Sequence, residues 1–100
     1  MSPHIRFNRE QIAQLCRKHR VRSLSFFGSV LRDDFRPDSD VDVLVEFEPD
    51  ARTSLFDLAE MSEELKEVVG RDVDLVEKAG LRNPFRRKAI LDTAELVYAA

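Results

Sequence analysis

The sequence Phe26-Phe27-Gly28-Ser29, which ten residues separate from Asp40-Val41-Asp42, decides the fold of this chain. The apolar pair predicts the end of a buried strand, and Gly28 predicts the turn that follows it. A glycine at such a turn lets the backbone approach a ligand closely. If a helix begins at Ser29, its free N–H groups can bind a phosphate, and the Ser29 hydroxyl adds a further donor. The stretch therefore predicts a phosphate-binding turn that leads to a pair of carboxylates.

The carboxylates are typical of a site for hard divalent cations. On a strand, residues i and i+2 point to the same face, about 6.5 to 7 Å apart, so Asp40 and Asp42 are expected to converge. Asp74, in the predicted strand sequence Val73-Asp74-Leu75-Val76, is a third acid that can join them. Oxygen ligands favour Mg²⁺ or Mn²⁺, and a pair of such ions suits phosphoryl chemistry.

Other binding motifs fit the sequence less well. The spacing of Asp38, Asp40 and Asp42 imitates the start of an EF-hand loop, but positions six and twelve of that loop are Val43 and Pro49 instead of Gly and Glu. The chain contains neither a G-x-x-x-x-G-K-[ST] loop nor a G-x-G-x-x-G motif. His4 and His19 do not have metal-ligand spacing. These observations exclude an EF-hand and argue against P-loop and dinucleotide-binding folds.

The remaining periodicity predicts helices and strands in alternation. In the predicted helix from Ser54 to Val69, the apolar residues are expected to form a buried stripe, which consists of Leu55, Leu58, Ala59, Leu65, Val68 and Val69. The predicted helices are 9–19 after the N-cap Asn8, a short one at 29–32, one from Ser54 to Val69 that stops at Gly70, and one after Asn83-Pro84 through Thr93. The predicted strands are 23–27, 41–47, 72–76 and an edge strand at 95–98. This pattern indicates a single α/β (α+β) domain over residues 1–100, with a small mixed sheet of about four strands and flanking helices.

Composition supports a cation-binding centre. The net charge of -3 hides a balance of +5 over residues 1–37, -11 over residues 38–77 and +3 over residues 78–100. An acidic middle suits bound cations, and charge alone does not indicate direct nucleic-acid binding. The single cysteine excludes an internal disulfide, no apolar run reaches the length of a membrane span, and no signal-peptide core is recognised. A cytoplasmic location without membrane contact is therefore expected.

The combined motif closely resembles the signature of the polymerase-β-like nucleotidyltransferases, and in particular the minimal nucleotidyltransferase family. The matching string runs from Phe27 to Arg32 and from Pro37 to Val45. The minimal branch also has a third acid in a V-D-L-V context, which Val73–Val76 fits. The resemblance extends to the closing residues 95–100. One departure is Asp33, where many relatives have glycine, and it leaves the conformation of this loop open.

The resemblance implies roles for individual residues and a polymerase-β-like fold. Gly28 and Ser29 would hold the triphosphate of ATP, Asp40 and Asp42 would bind two Mg²⁺ (or Mn²⁺) ions, and Asp74 would bind the second ion and help deprotonate an acceptor hydroxyl. Arg32 would contact the nucleotide or brace the acids. Asp72 is expected to be a solvated residue at the start of its strand, and Tyr98 to be a packing residue of the edge strand.

The implied function is metal-dependent transfer of AMP from ATP to a hydroxyl group of a partner protein. Many small members of this branch resemble antitoxins that are encoded beside a HEPN-domain toxin, and some adenylylate a tyrosine of that toxin. Two alternatives stay open: a catalytically silent module that neutralises its partner by contact, and an aminoglycoside-type enzyme acting on a small molecule, which would complete its pocket as a homo-oligomer. The sequence also leaves open whether the basic patch of Arg82, Arg86, Arg87 and Lys88 is a solvated face or binds phosphate or an acidic partner.

Overall fold

The computed structural model describes residues 7–28 and 40–100, and its elements alternate much as predicted. The predicted helical turn at 29–32 lies outside these residues. The helices are α1 (Arg9–Lys18), α2 (Leu55–Val69) and α3 (Pro84–Thr93), with a short 3-10 turn at Lys78–Gly80. The strands are β1 (Val21–Phe27), β2 (Val41–Phe47), β3 (Val73–Glu77) and β4 (Glu95–Ala99).

The four strands form one mixed sheet in the order β3-β2-β1-β4. β2 and β3 are parallel and are joined through α2, whereas β1 pairs antiparallel with both β2 and β4. β2 is therefore central and β4 lies at an edge, as the sequence predicted. β1 begins two residues earlier than expected, because Val21 still pairs with Phe47 across an irregularity in the register. The predicted α/β class with a small mixed sheet is confirmed.

The two faces of the sheet are covered by different helices. On the first face, α1 and α2 pack on the larger core, in which Leu24, Phe26 and Val43 are fully buried. On the second face, Ile90 of α3 and Leu81 pack on Phe27 and Leu44 in a smaller core. Because side chains alternate along a strand, Asp42 points to the same face as Leu44. The acidic motif thus lies beside the smaller core.

The helix boundaries follow their predicted caps. The Asn8 side chain accepts hydrogen bonds from the backbone N–H groups of Glu10 and Gln11, at 2.9 and 3.1 Å. Ser54 and Asp57 form a reciprocal capping box. Gly70 ends α2 in the left-handed conformation, with φ of 74°. Each cap satisfies N–H or C=O groups that a helix end leaves without an intrahelical partner.

The predicted buried stripe of α2 is only partly correct. Leu65 and Val69 are buried, but the third buried residue is Met61, and the Leu55 side chain is 83% exposed. At about 100° per residue, Leu55 and Ala59 lie roughly 80° and 120° away from Leu65 around the helix, whereas Met61 lies roughly 40° away. The prediction followed residue type and overlooked this angular offset.

Among the described residues, no helix has the length and apolar character of a membrane span.

Candidate functional site

Asp42 and Asp74 lie side by side on neighbouring strands. They are register partners in the parallel pair of β2 and β3, one step after Val41 and Val73. The Val41 N–H donates to the Asp72 carbonyl at 2.9 Å and fixes this register. Adjacent strands lie about 4.8 Å apart, and register partners point to the same face. Two carboxylates from distant parts of the sequence are thus neighbours, with Asp42 partly buried and Asp74 exposed.

Gly28 is in direct contact with the first of these acids. Phe27 pairs with Asp42 across β1 and β2, and Gly28 follows with a positive φ of 76°. A Cβ on Gly28 would overlap the Asp42 carboxylate and would lie 3.2 Å from its Cγ. The sequence had explained this glycine by the close approach of a phosphate. The structure adds that any side chain at this position would displace the Asp42 carboxylate.

The acidic residues carry a donor set that suits Mg²⁺ or Mn²⁺. Asp40 directly precedes β2 and is exposed. Within residues 7–28 and 40–100, no lysine or arginine forms an ion pair with Asp40 or Asp74. Carboxylates this close repel one another, and a divalent cation relieves that repulsion. Asp42 and Asp74 are therefore a chemically suitable pair of ligands for such an ion, although the carboxylates of Asp40, Asp42 and Asp74 do not all lie within 4.8 Å of one another in this structure.

An apolar wall borders the acids on the same face. Phe27, which pairs with Asp42, is 8% exposed and packs with Leu44, Leu81 and Ile90. Apolar surroundings lower the local dielectric and strengthen the attraction between carboxylates and a cation. The apolar periodicity of the sequence does not predict this wall, because Leu81 follows a short turn and Ile90 belongs to a helix with weak apolar periodicity.

Several predicted residues lie elsewhere. Ser29 and Arg32 lie outside the described residues, so their roles stay predictions. Asp72 forms an exposed ion pair with Lys66, 3.0 Å between Oδ1 and Nζ, which agrees with its expected place at the start of the strand. Tyr98 packs against the larger core, as predicted for the edge strand.

The predicted basic patch divides into residues with different contacts, and Arg82 precedes α3 instead of lying on it. Arg87 donates to the Lys78 carbonyl at 3.4 Å, and Lys88 pairs with Asp92 at 2.7 Å. Arg82 and Arg86 are exposed. Lys78 follows the last residue of β3, so Arg87 lies at the opposite end of that strand from Asp74. Whether the patch binds a partner stays open.

The sheet and its acids define a class of protein. A mixed four-stranded sheet with carboxylates on adjacent parallel strands, and a glycine turn against them, is the arrangement that the motif predicted for a nucleotidyltransferase. Residues 9–97 match the profile of the family described as "Nucleotidyltransferase domain". The chain belongs to this family, and the predicted resemblance is confirmed.

Relatives within the family have more specific names. A protein of Thermococcus cleftensis named "Protein adenylyltransferase MntA" is 38% identical over 78% of this chain and 74% of its own length. A protein of Methanocaldococcus jannaschii, provisionally named a protein adenylyltransferase, is 35% identical over 81% of this chain and 79% of its own length.

Solved structures show the same fold. One that is provisionally described as a minimal nucleotidyltransferase is 39% identical, with a TM-score of 0.70 over 87% of this chain and 86% of that one. A toxin–antitoxin structure with AMP-PNP has a TM-score of 0.72 at 19% identity, covering 93% of this chain and 74% of that one. A complex described as a tri-AMPylated Shewanella oneidensis HEPN toxin with MNT antitoxin has a TM-score of 0.61 at 20% identity. The match covers 92% of this chain and 70% of that one. The two more distant structures support the polymerase-β-like fold alone.

Proposed function

We propose that this protein transfers AMP from ATP to a hydroxyl group of a partner protein. The observation that carries the proposal is the register pairing of Asp42 with Asp74, with Gly28 against the Asp42 carboxylate. The family and the name of the Thermococcus cleftensis relative support the same reaction. Cleavage between the α- and β-phosphates of ATP would place AMP on the acceptor oxygen and release pyrophosphate.

In this proposal each acid has a distinct task. Asp40 and Asp42 would hold Mg²⁺ or Mn²⁺ at the triphosphate, and Asp74 would bind a second ion and accept the proton of the acceptor hydroxyl. The bound metal ions would neutralise charge on the attacking and leaving oxygens. The backbone at Gly28 would approach the phosphates, with Ser29 and Arg32 as further phosphate contacts. The apolar wall at Phe27 would limit the access of water to the reacting oxygens.

The acceptor in this proposal is a tyrosine of a HEPN-domain toxin, and the protein acts as its antitoxin. Support comes from the neighbouring structures, which are described as toxin–antitoxin complexes and, in one case, as an AMPylated HEPN toxin. The reaction would take place in the cytoplasm, where toxin and ATP are both present.

The test combines the purified protein, Mg²⁺, α-labelled ATP and the protein that the adjacent gene encodes, which the proposal expects to be a HEPN-domain toxin. Label is expected on a tyrosine of that partner with the wild-type protein and with the control variant Asp72→Asn, which alters an acid of the same strand region outside the site. Asp42→Asn and Asp74→Asn are expected to transfer no label.

The outcomes separate the alternatives. A wild-type protein that binds and neutralises the partner without labelling it would contradict AMP transfer and favour a silent antitoxin. Labelling of an aminoglycoside instead of the protein partner would favour the small-molecule enzyme. Labelling that survives Asp42→Asn would contradict the assignment of the site.

A further inference from the structure

A second group of metal-binding side chains lies where the end of α1 meets α2, on the face of the sheet opposite to Asp42. His19 follows α1 directly, and Glu60 and Glu64 are one helical turn apart on α2. One ligand atom from each of these three residues lies within 4.8 Å of the other two. No motif in the sequence predicts this group, because the two glutamates are more than forty residues from His19.

The separation of His19 and Glu64 fits a shared cation better than a direct hydrogen bond. Their Nε2 and Oε2 atoms are 3.4 Å apart, beyond the 2.7–3.2 Å range usual for N–H···O bonds. Two ligands of a tetrahedral zinc ion, each about 2.0–2.1 Å from the metal, lie roughly 3.3–3.4 Å apart. The Glu60 side chain is 54% exposed, and one of its oxygens lies within 4.8 Å of the ligand atoms of His19 and Glu64, which makes it the third donor.

The packing around His19 and Glu64 holds the imidazole and the carboxylate in place for a metal ion. The His19 side chain is only 8% exposed, and its Nε2 is directed at Glu64. Only 28% of the Glu64 side chain is exposed, so its carboxylate is held between α1 and α2 beside the imidazole. Asp57, the remaining acid near His19, is engaged in the capping box of α2.

The Lys18 ammonium contacts the same two carboxylates and would compete with a metal ion for them. Its ammonium lies 3.2 Å from Oε1 of Glu60 and 2.6 Å from Oε1 of Glu64. The Lys18 side chain is 58% exposed, and exposed ion pairs contribute little stability, so a divalent ion can displace it. The second oxygen of Glu64 already faces His19 rather than Lys18.

We propose that His19, Glu60 and Glu64 form a zinc site that joins the end of α1 to α2. One imidazole nitrogen and two carboxylates, completed by water, are a donor set that Zn²⁺ accepts in tetrahedral geometry, whereas Mg²⁺ prefers oxygen ligands alone. The ion holds together two helices of the larger core. This site is independent of the acids on β2 and β3 and of the function proposed for them.

The test is a titration with Co²⁺, whose tetrahedral complexes absorb visible light strongly, followed by displacement with Zn²⁺. It is done in the Asp42→Asn/Asp74→Asn background, so that the other acids do not contribute. One equivalent of Co²⁺ is expected to bind with a tetrahedral spectrum. Glu64→Gln and His19→Phe are each expected to weaken Co²⁺ binding by about tenfold or more. Mutation of a residue that only supports a metal ligand already costs about tenfold in affinity, so the loss of a ligand itself should cost at least as much. Lys18→Met is expected to tighten binding several-fold.

Each result decides for or against the site. A spectrum without tetrahedral bands, or binding that Glu64→Gln leaves unchanged, would overturn the proposal. Unchanged or weaker binding in Lys18→Met would also overturn it, because removal of the competing ammonium must raise the affinity. Glu64→Gln and Lys18→Met change partly exposed side chains with little change in shape, so the result does not depend on whether His19→Phe folds.

Discussion

At the end of β1, the Asp42 carboxylate lies where a side chain at position 28 would begin. A Cβ at Gly28 fits only if the Asp42 carboxylate moves, because that carboxylate fills the space of the Cβ. The backbone of Gly28 also has a positive φ of 76°, which residues other than glycine rarely adopt. Residue choice at position 28 therefore controls the direction of a carboxylate on another strand.

Gly28→Ala is expected to reduce AMP transfer and Mn²⁺ binding by displacing Asp42, in addition to a strain of about 1–2 kcal/mol from the left-handed backbone. The matched control is Gly70→Ala, which has a φ of 74° and nothing within 4 Å of its Cβ position. Denaturation midpoints should fall similarly in both variants, whereas activity should fall only in Gly28→Ala. Equal activities in the two variants would contradict the contact.

Cys16 is buried in the larger core, and desolvation raises the pKa of its thiol to about 12. The thiolate is the reactive form, so almost none is present at pH 8. Iodoacetamide at pH 8 is expected to leave the folded protein unmodified and to label Cys16 in urea. Because the unfolded thiol ionises near pH 8.5 and the folded one does not, the contribution of Cys16 to stability is expected to decline above that pH. Rapid labelling without denaturant would contradict the burial of Cys16.

At the scale of elements, the site depends on the register of two strands more than on either strand alone. Val41 and Asp72 fix the pairing of β2 with β3, and a shift by one residue would turn Asp74 to the opposite face. The sequence predicted both strands from their β-branched residues. It could not predict this register, which results from the crossover through α2.

The capping box of α2 gives the protein a predictable response to acid. The Ser54 N–H, followed by the Ser54 hydroxyl, lowers the pKa of Asp57. A lowered pKa means that the stabilisation is complete above the unfolded value of about 3.9 and is lost as the pH falls through the folded value. Asp57→Asn is therefore expected to lower the urea midpoint at pH 7 and to have a smaller effect at pH 2. A difference of the same size at both pH values would contradict the role of the ionised carboxylate.

Some elements were predictable because local chemistry determines them. Ser54, Gly70, Asn83 and Pro84 set helix ends through their own hydrogen bonds and backbone preferences, and these ends agree with the structure. The exposed Leu55 and the buried Met61 were assigned incorrectly, since which side of a helix meets the sheet depends on packing. The apolar wall of Leu81 and Ile90 was missed for the same reason.

At the scale of the whole molecule, the sheet separates two regions of different chemistry. The carboxylates of β2 and β3 lie on the face of α3, whereas His19, Glu60 and Glu64 lie with α1 and α2 on the other face. The acidic block of residues 38–77 was visible in the sequence and contributes to both regions. The charge pattern predicted cation binding, but only the fold assigns individual acids to separate places.

The most direct test of the central claim is the thermal stability of the protein with Mn²⁺ and a non-hydrolysable ATP analogue. A ligand at one hundred times its Kd adds about 2.7 kcal/mol to the folded state, which raises the Tm of a chain of this size by about 10 °C or more. We expect such a rise for the wild-type protein and Asp72→Asn, and none for Asp42→Asn or Asp74→Asn. No rise in the wild-type protein, or an equal rise in Asp42→Asn, would contradict the claim that these paired carboxylates hold the metal and the nucleotide.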